Sequence, residues 1–179
     1  MATPPDFSVG QTLTAAHMDA IGLWLIETKS VTSQSTVSFD NCFTSSFTNY
    51  LINVDITASA NNILYMKLRA AGSDSSTSYY YGGYYIDMTA ATLTAEGSTN
   101  VNTGFRLGAF SNNAYGSTTY LYKPALAAKT IFTCAPQAVE NYSRFNGGYH
   151  DLATAYDGCT FSTGTSTMTG TIRIYGLRN

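Results

Sequence analysis

The sequence predicts an all-β protein, an antiparallel β-sandwich of jelly-roll type preceded by an extended N-terminal arm and a short helix. Three observations carry that expectation. Beyond residue 26, apolar and polar residues alternate with period two over several stretches, the pattern of strands buried on one face. Clusters of Gly, Asn, Asp and Ser break these stretches at short intervals, as turns between many short strands require. Only 11% of the 179 residues are charged whereas 44% are apolar, so a core can form while Ser, Thr, Asn, Gly and Tyr finish the surface.

The chain divides into an anchoring segment, 1–26, and a sandwich domain, 27–179. Pro4-Pro5 keeps the first residues extended. Thr14 suits a helix N-cap, Ala15 and Ala16 favour the helix behind it, Leu13 and Met18 occupy the positions of a hydrophobic staple, and Gly22 supplies a stop. A helix of two turns is marginal by itself in water, so its apolar face, Met18, Ile21 and Leu25 with Trp24 beside them, must lie against something. That support is either the chain's own sandwich or a neighbouring protein.

From Glu27 the period becomes two. Tyr50, Ile52, Val54 and Ile56 alternate with Leu51, Asn53, Asp55 and Thr57, and Leu64, Met66, Leu68 and Ala70 alternate with Tyr65, Lys67 and Arg69. These two strands are expected to form a hairpin around Ala60-Asn61-Asn62. Further strands are expected at Glu27–Val31, Ser35–Phe39, Tyr79–Met88, Gly104–Phe110, Ser117–Tyr122, Lys129–Ala135, Gly158–Ser162 and Thr167–Tyr175. Turns fall at Gly72-Ser73-Asp74, Asn112-Asn113, Asn146-Gly147-Gly148 and Asp157-Gly158. There is no repeat of solenoid or propeller type.

Nine basic residues against eleven acidic ones give a net charge of −2, which lacks the basic footprint of a nucleic-acid-binding protein. The weak charging suits a protein that works packed in an assembly. Cys42, Cys134 and Cys159 are odd in number and contain no CxxC pair, so buried free thiols are expected rather than disulfides or zinc. Pro4, Pro5 and Asp6 stand where a secretory signal would carry its positive charge, which suggests cytoplasmic synthesis. The apolar run Leu23–Ile26 is far below the roughly 20 residues that cross a bilayer, so no membrane partner is expected.

Catalytic signatures are missing. GxxxxGK[ST], GxSxG, HExxH and EF-hand patterns do not occur. A hydrolase triad would have to use His150, with Asp151 or Asp157 and some serine, while Asp87, Glu96, Glu140, Asp151 and Asp157 show no spacing that singles out a carboxylate pair. The expectation is a non-enzymatic protein with neither cofactor nor metal.

The most unusual local feature is the run Tyr79, Tyr80, Tyr81, Gly82, Gly83, Tyr84 and Tyr85. Consecutive tyrosines in a strand point to both faces, so one set packs inward while the other presents phenols to a subunit or to the sugar rings of a host glycan. The double glycine marks a bulge or a close backbone approach. A second aromatic group, Tyr115, Tyr120, Tyr122, Tyr142, Phe145 and Tyr149, admits the same two uses.

The stretch from Pro5-Asp6-Phe7-Ser8-Val9-Gly10-Gln11 through Thr14-Ala15-Ala16 to Gly22-Leu23-Trp24 resembles the N-termini of small virion structural proteins of tailed bacteriophages. The segments Phe39-Asp40-Asn41-Cys42-Phe43, Leu68-Arg69 leading through Gly72 to the tyrosines, and Gly170-Thr171-Ile172-Arg173-Ile174-Tyr175-Gly176 are similar to that group as well. The resemblance implies a homotrimeric β-sandwich exposed on a virion and held there by its arm. Related modules serve as head decoration or cement proteins, as head fibres and as tail-fibre or minor tail components. Neither heptads nor shaft repeats are present, which favours a compact capsid decoration protein over a fibre. Phe7, Val9, Leu13, Met18, Ile21 and Trp24 are then the expected adhesive residues, with capsid or tail proteins as partners. The competing expectation is a receptor-binding module that holds a host surface glycan through the outward tyrosines.

Overall fold

A computed structural model describes residues 9–10, 12, 22–110, 114–138 and 142–177. The described residues form strands without helix: β1 (Leu23–Gln34), β2 (Thr36–Phe39), β3 (Asn49–Ala58), β4 (Asn62–Ala70), β5 (Ser73–Asp74), β6 (Tyr79–Asp87) and β7 (Thr92–Val101). They continue with β8 (Phe105–Phe110), β9 (Ala114–Tyr122), β10 (Thr130–Ala138), β11 (Tyr142–His150), β12 (Gly158–Ser162) and β13 (Met168–Leu177). The expected helix and the Asn112-Asn113 turn lie outside the described residues.

Two antiparallel sheets form a sandwich-like arrangement. The larger has eight strands in the order β1-β13-β3-β9-β10-β11-β6-β7, and the smaller runs β2-β12-β4-β5 with β8 also paired to β4. The alternation in β3 fixes its register, because slipping by one residue would turn Tyr50, Ile52, Val54 and Ile56 to solvent. Those four are buried together with Ile172, Ile174, Leu121 and Phe132 of the same sheet. Phe39, Leu64, Met66, Leu68, Phe105 and Phe161 face them from the smaller sheet. Phe105 and Phe132 meet between the layers with ring centroids 4.3 Å apart. Burying each such side chain stabilises the fold by roughly 1.5–3 kcal/mol. Cys42, Cys134 and Cys159 are free and buried within this core.

Several sequence expectations need correction. The strands β3 and β4 do not form a hairpin, since β3 belongs to the larger sheet and β4 to the smaller, and the turn between them carries the chain across the sandwich. Strand alternation is the same whether two apolar faces lie side by side or opposite each other, so it could not distinguish these arrangements. Asn146-Gly147-Gly148 is no turn but the middle of β11, paired with Gly83, Gly82 and Tyr81 of β6. The edge strand β7 was not anticipated, because its Thr, Ser, Gly and Asn residues lack an apolar alternation. Trp24 and Leu25 lie in β1, opposite Gly176 and Tyr175, rather than on or beside a helix face.

Candidate functional site

The smaller sheet covers one face of the larger, and among the described residues the other face is open. Cross-strand register places one row of residues across all eight strands: Leu25, Tyr175, Leu51, Tyr120, Thr133, Gly147, Gly82 and Gly97. The neighbouring row contains Tyr122, Ile131, Tyr149 and Tyr80. On the far side of the glycines stand Phe145 and Tyr84, again directly opposite each other. The four residues from Leu25 to Tyr120 therefore carry large side chains, Thr133 a small one, and the three toward β7 are bare backbone.

This face is unusually apolar for a solvent-exposed surface. Leu25 is 49% exposed, Ile131 49%, Tyr84 44% and Phe145 42%. Tyr80 and Tyr149 stack with centroids 4.9 Å apart and planes 3° from parallel, and Tyr84 stacks on Phe145 at 6.0 Å. On the two sides of the Tyr80–Tyr149 stack lie shallow grooves. One of about 490 Å³ is lined by Ile131, Thr133, Gly147 and Tyr149, with Lys129 at its rim. The other, about 290 Å³, is lined by Tyr80, Gly82, Ser98 and Thr99. Lys129 pairs with Asp151, whose carboxylate raises the affinity of the ammonium for its proton.

The structure divides the five tyrosines singled out from the sequence. Tyr80 and Tyr84 belong to the open face. Tyr79 is fully buried, accepting a hydrogen bond from the Leu68 N–H at 2.9 Å and donating to the Ser75 carbonyl at 3.2 Å. Burial pushes its phenol well above the ordinary tyrosine range. Tyr81 and Tyr85 point to the opposite side of β6, where Tyr85 meets Tyr142 edge to face and the Arg144 guanidinium lies 4.7 Å from the Tyr85 ring centre. Gly83 serves close approach, since a Cβ there would run into the Phe145 carbonyl, whereas one on Gly82 would make only ordinary contact. Of the second aromatic group, Tyr120, Tyr122, Phe145 and Tyr149 lie on the open face, whereas Tyr115 is buried in the core and Tyr142 points inward. Ile131 and Gly97 were not singled out from the sequence, and Gly147 was read there as part of a turn. Gly82 and Gly147 are brought together by direct cross-strand pairing, which becomes visible only once β11 is known to pair with β6.

Beneath β6 and β11, on the inward side, Glu96 bridges Arg106 at 3.0 Å and Arg144 at 3.3 Å. The buried Asn146 amide, oriented to satisfy its surroundings, donates to Glu96 Oε1 at 3.0 Å and to the Phe145 carbonyl. This network ties the edge strand β7 to β11 and β8, and so fixes the sheet on which Tyr80 and Tyr84 stand.

His150 lies in the core rather than in a cleft. Its Nε2 faces the Thr77 carbonyl at 2.9 Å and must therefore carry the proton, and its Nδ1 accepts from the Tyr156 hydroxyl at 3.1 Å. Ser75 Oγ lies 3.0 Å from Nε2, but a protonated Nε2 has no lone pair with which to take up a serine proton. Burial lowers the imidazole's proton affinity, against the opposing pull of the Thr77 carbonyl and Asp151. Neither Asp151 nor Asp157 occupies the orienting position on Nδ1 that a triad needs.

Of the expected adhesive residues, Phe7, Leu13, Met18 and Ile21 lie outside the described residues. Val9 is fully exposed, and Trp24 packs partly buried against the core from β1. Among the described residues no group of His, Cys, Asp or Glu is arranged to hold a metal ion, and no helix is long and apolar enough to cross a membrane.

No family model and no curated protein sequence matches the chain. Among solved structures, the chain is similar at 9% identity to one described as lectin UEA-II complexed with galactose, over 84% of this chain and 87% of that one, with a TM-score of 0.20. It is similar at 10% identity to a structure of infectious bursal disease virus Gt strain, over 87% of this chain and 42% of that one, with a TM-score of 0.15.

Proposed function

We propose that this chain is a non-enzymatic structural protein of a tailed-phage virion, a capsid decoration or cement protein or a head fibre, whose jelly-roll sandwich is held on the particle by the N-terminal arm. The observation that carries the reading is the open face of the larger sheet. Soluble monomers rarely leave broad contiguous apolar patches uncovered, and a row running from Leu25 through Tyr175, Leu51 and Tyr120 is suited to burial against another protein. The low charge content is consistent with a life inside an assembly. In this reading the chain forms a homotrimer and bridges capsid subunits, and small contacts repeated over many copies reinforce the shell. Immunogold labelling of intact virions with antibody to the chain tests the proposal. Gold distributed over the head is expected, and particles that carry none would overturn the virion assignment.

A second reading is favoured by a specific feature of the same face. The stacked pairs Tyr80–Tyr149 and Tyr84–Phe145 stand beside hydroxyl-bearing Thr133 and Thr99, a combination of flat apolar surface and hydrogen-bonding groups that suits carbohydrate. The chain is then a tail-fibre or minor tail module that recognises a host surface glycan. Gold confined to the tail tip is the outcome expected of it.

A further inference from the structure

We propose that the Tyr80–Tyr149 stack is a carbohydrate platform on which a neutral hexopyranose lies against the face of Tyr149 turned away from Tyr80. The proposal rests on the receptor-binding reading and assigns its ligand class and its site.

The geometry of the stack defines which surfaces are available. Tyr80 and Tyr149 are direct cross-strand partners, and their centroid separation of 4.9 Å matches the spacing of adjacent strands. With planes 3° from parallel, each ring uses one face on the other and turns its second face along the sheet. The second face of Tyr149 looks toward β10 and that of Tyr80 toward β7, and on each side a groove opens. The larger, at about 490 Å³, falls within the range of small-molecule sites, roughly 300–1,000 Å³.

The walls of that groove specify the occupant. Gly147 leaves the part of the floor next to Tyr149 without a side chain, Thr133 standing opposite it on β10, so a ring can come close to the backbone beside Tyr149. Ile131, 49% exposed on the adjacent strand, offers a second apolar contact. A planar aromatic face opposite an aliphatic side chain fits the C–H face of a pyranose. Hydrogen-bonding groups stand at the edge: Thr133 on the floor, and Lys129 with Asp151 at the rim. The ammonium and carboxylate neutralise each other, so the groove has no net charge with which to select an ionic ligand. Together they supply adjacent donor and acceptor groups, which a pair of vicinal hydroxyls can satisfy at once. The Lys129 ammonium lies over this face of Tyr149, 5.8 Å from the ring centre, and a sugar takes its place there as the side chain, 62% exposed, turns out to the rim beside Asp151. Because Tyr149 is already held by Tyr80, its ordering costs little on binding.

Saturation-transfer NMR of the full chain with methyl glycosides of glucose, galactose and mannose tests the site, run in parallel with competition by the same protein for phage adsorption to host cells. We expect transfer to the ring protons of at least one glycoside. Tyr149→Phe should retain it, whereas Tyr149→Leu, which keeps an apolar side chain without the flat ring, should weaken binding about tenfold. Amide spectra that match the parent outside the groove establish that each variant is folded. No transfer from any of the three glycosides, or equal transfer in Tyr149→Leu, would overturn the site. If the parent chain blocks adsorption and Tyr149→Leu blocks it equally well, the receptor-binding reading stands while this site falls. If the parent chain does not block adsorption at all, the receptor-binding reading itself falls, and the platform falls with it.

Discussion

His150 shows how one side chain can link the fold to pH. The imidazole is enclosed by Tyr79, Phe105 and Tyr156, and both of its nitrogens are used in the neutral form. Protonation would place a second N–H at Nδ1, where the Tyr156 hydroxyl now donates, and would put a charge in the core. The groups facing it are the Ser75 and Tyr156 hydroxyls and the Thr77 carbonyl, with Asp151 adjacent in the chain. Burial is the largest influence, and it holds the folded-state pKa below that of the unfolded chain. The unfolded state therefore binds the proton more readily. The stabilisation is fully present above the unfolded histidine pKa, about 6.5, and is lost as pH falls through the lower folded value. Urea unfolding of the parent at neutral pH and at pH 5 should show a larger loss of stability on acidification than the same comparison for His150→Gln. Equal losses would show that His150 does not contribute to the acid sensitivity. None of this was legible in the sequence, where His150 stood only as a possible base. Its surroundings come from β6, β8 and the segment before β12, residues distant in the chain that no local pattern brings together.

Strands are where the sequence was most informative, and where its failures have a physical cause. The closing strand β13 illustrates both. Its alternation marks Ile172 and Ile174 as buried, and the structure places them in the core opposite Val54 and Ile52. Gly170 and Gly176 stand in the sequence without a pattern that explains them, and packing explains both. Gly170 has φ of 146° and comes so close to β3 that a Cβ would strike the Asp55 carbonyl, and a Cβ on Gly176 would enter the Phe47 ring. Gly176→Ala should therefore destabilise the protein by about 1–3 kcal/mol through overpacking. Thr171→Ala, on the open side of the same strand, should change stability by less than about 0.5 kcal/mol. Differences in denaturant midpoint measure both, and similar effects for the two would remove the packing explanation. The same ambiguity of glycine accounts for β11. Asn146-Gly147-Gly148 has the composition of a turn, but a Cβ on Gly148 would meet the Tyr80 carbonyl, so the residue is glycine to let β6 and β11 approach. The strand β7 was invisible for the opposite reason. It is an edge strand, held by backbone pairing to β6 and by Glu96, and it contributes little apolar surface from which to detect a period.

For the whole molecule, the first strand starts a few residues before the Glu27 expected from the sequence, which sets how much of the N-terminus can be removed without touching the sandwich. The strand β1 begins at Leu23, and its first pairs are Leu23 with Leu177 and Trp24 with Gly176. Trp24 packs against the core, so it belongs to the sandwich even if it also touches a partner. The adhesive role proposed for Phe7, Val9, Leu13, Met18 and Ile21 can then be separated from folding. A chain beginning at Gly22 keeps β1 and every described core contact, and it should unfold with a midpoint within a few degrees of the parent while losing its attachment to the particle. A chain beginning at Leu25 loses two pairs of the β1–β13 ladder and the Trp24 side chain, and should be less stable by about 2 kcal/mol. Comparing the two prevents a folding defect from passing for an anchoring defect. Binding is read by co-sedimentation with virions that lack the native protein. If the chain beginning at Gly22 is folded and sediments as completely as the parent, attachment lies on the sandwich itself. The open face between Leu25 and Tyr120 then becomes the surface that meets the particle, and the arm has no adhesive role.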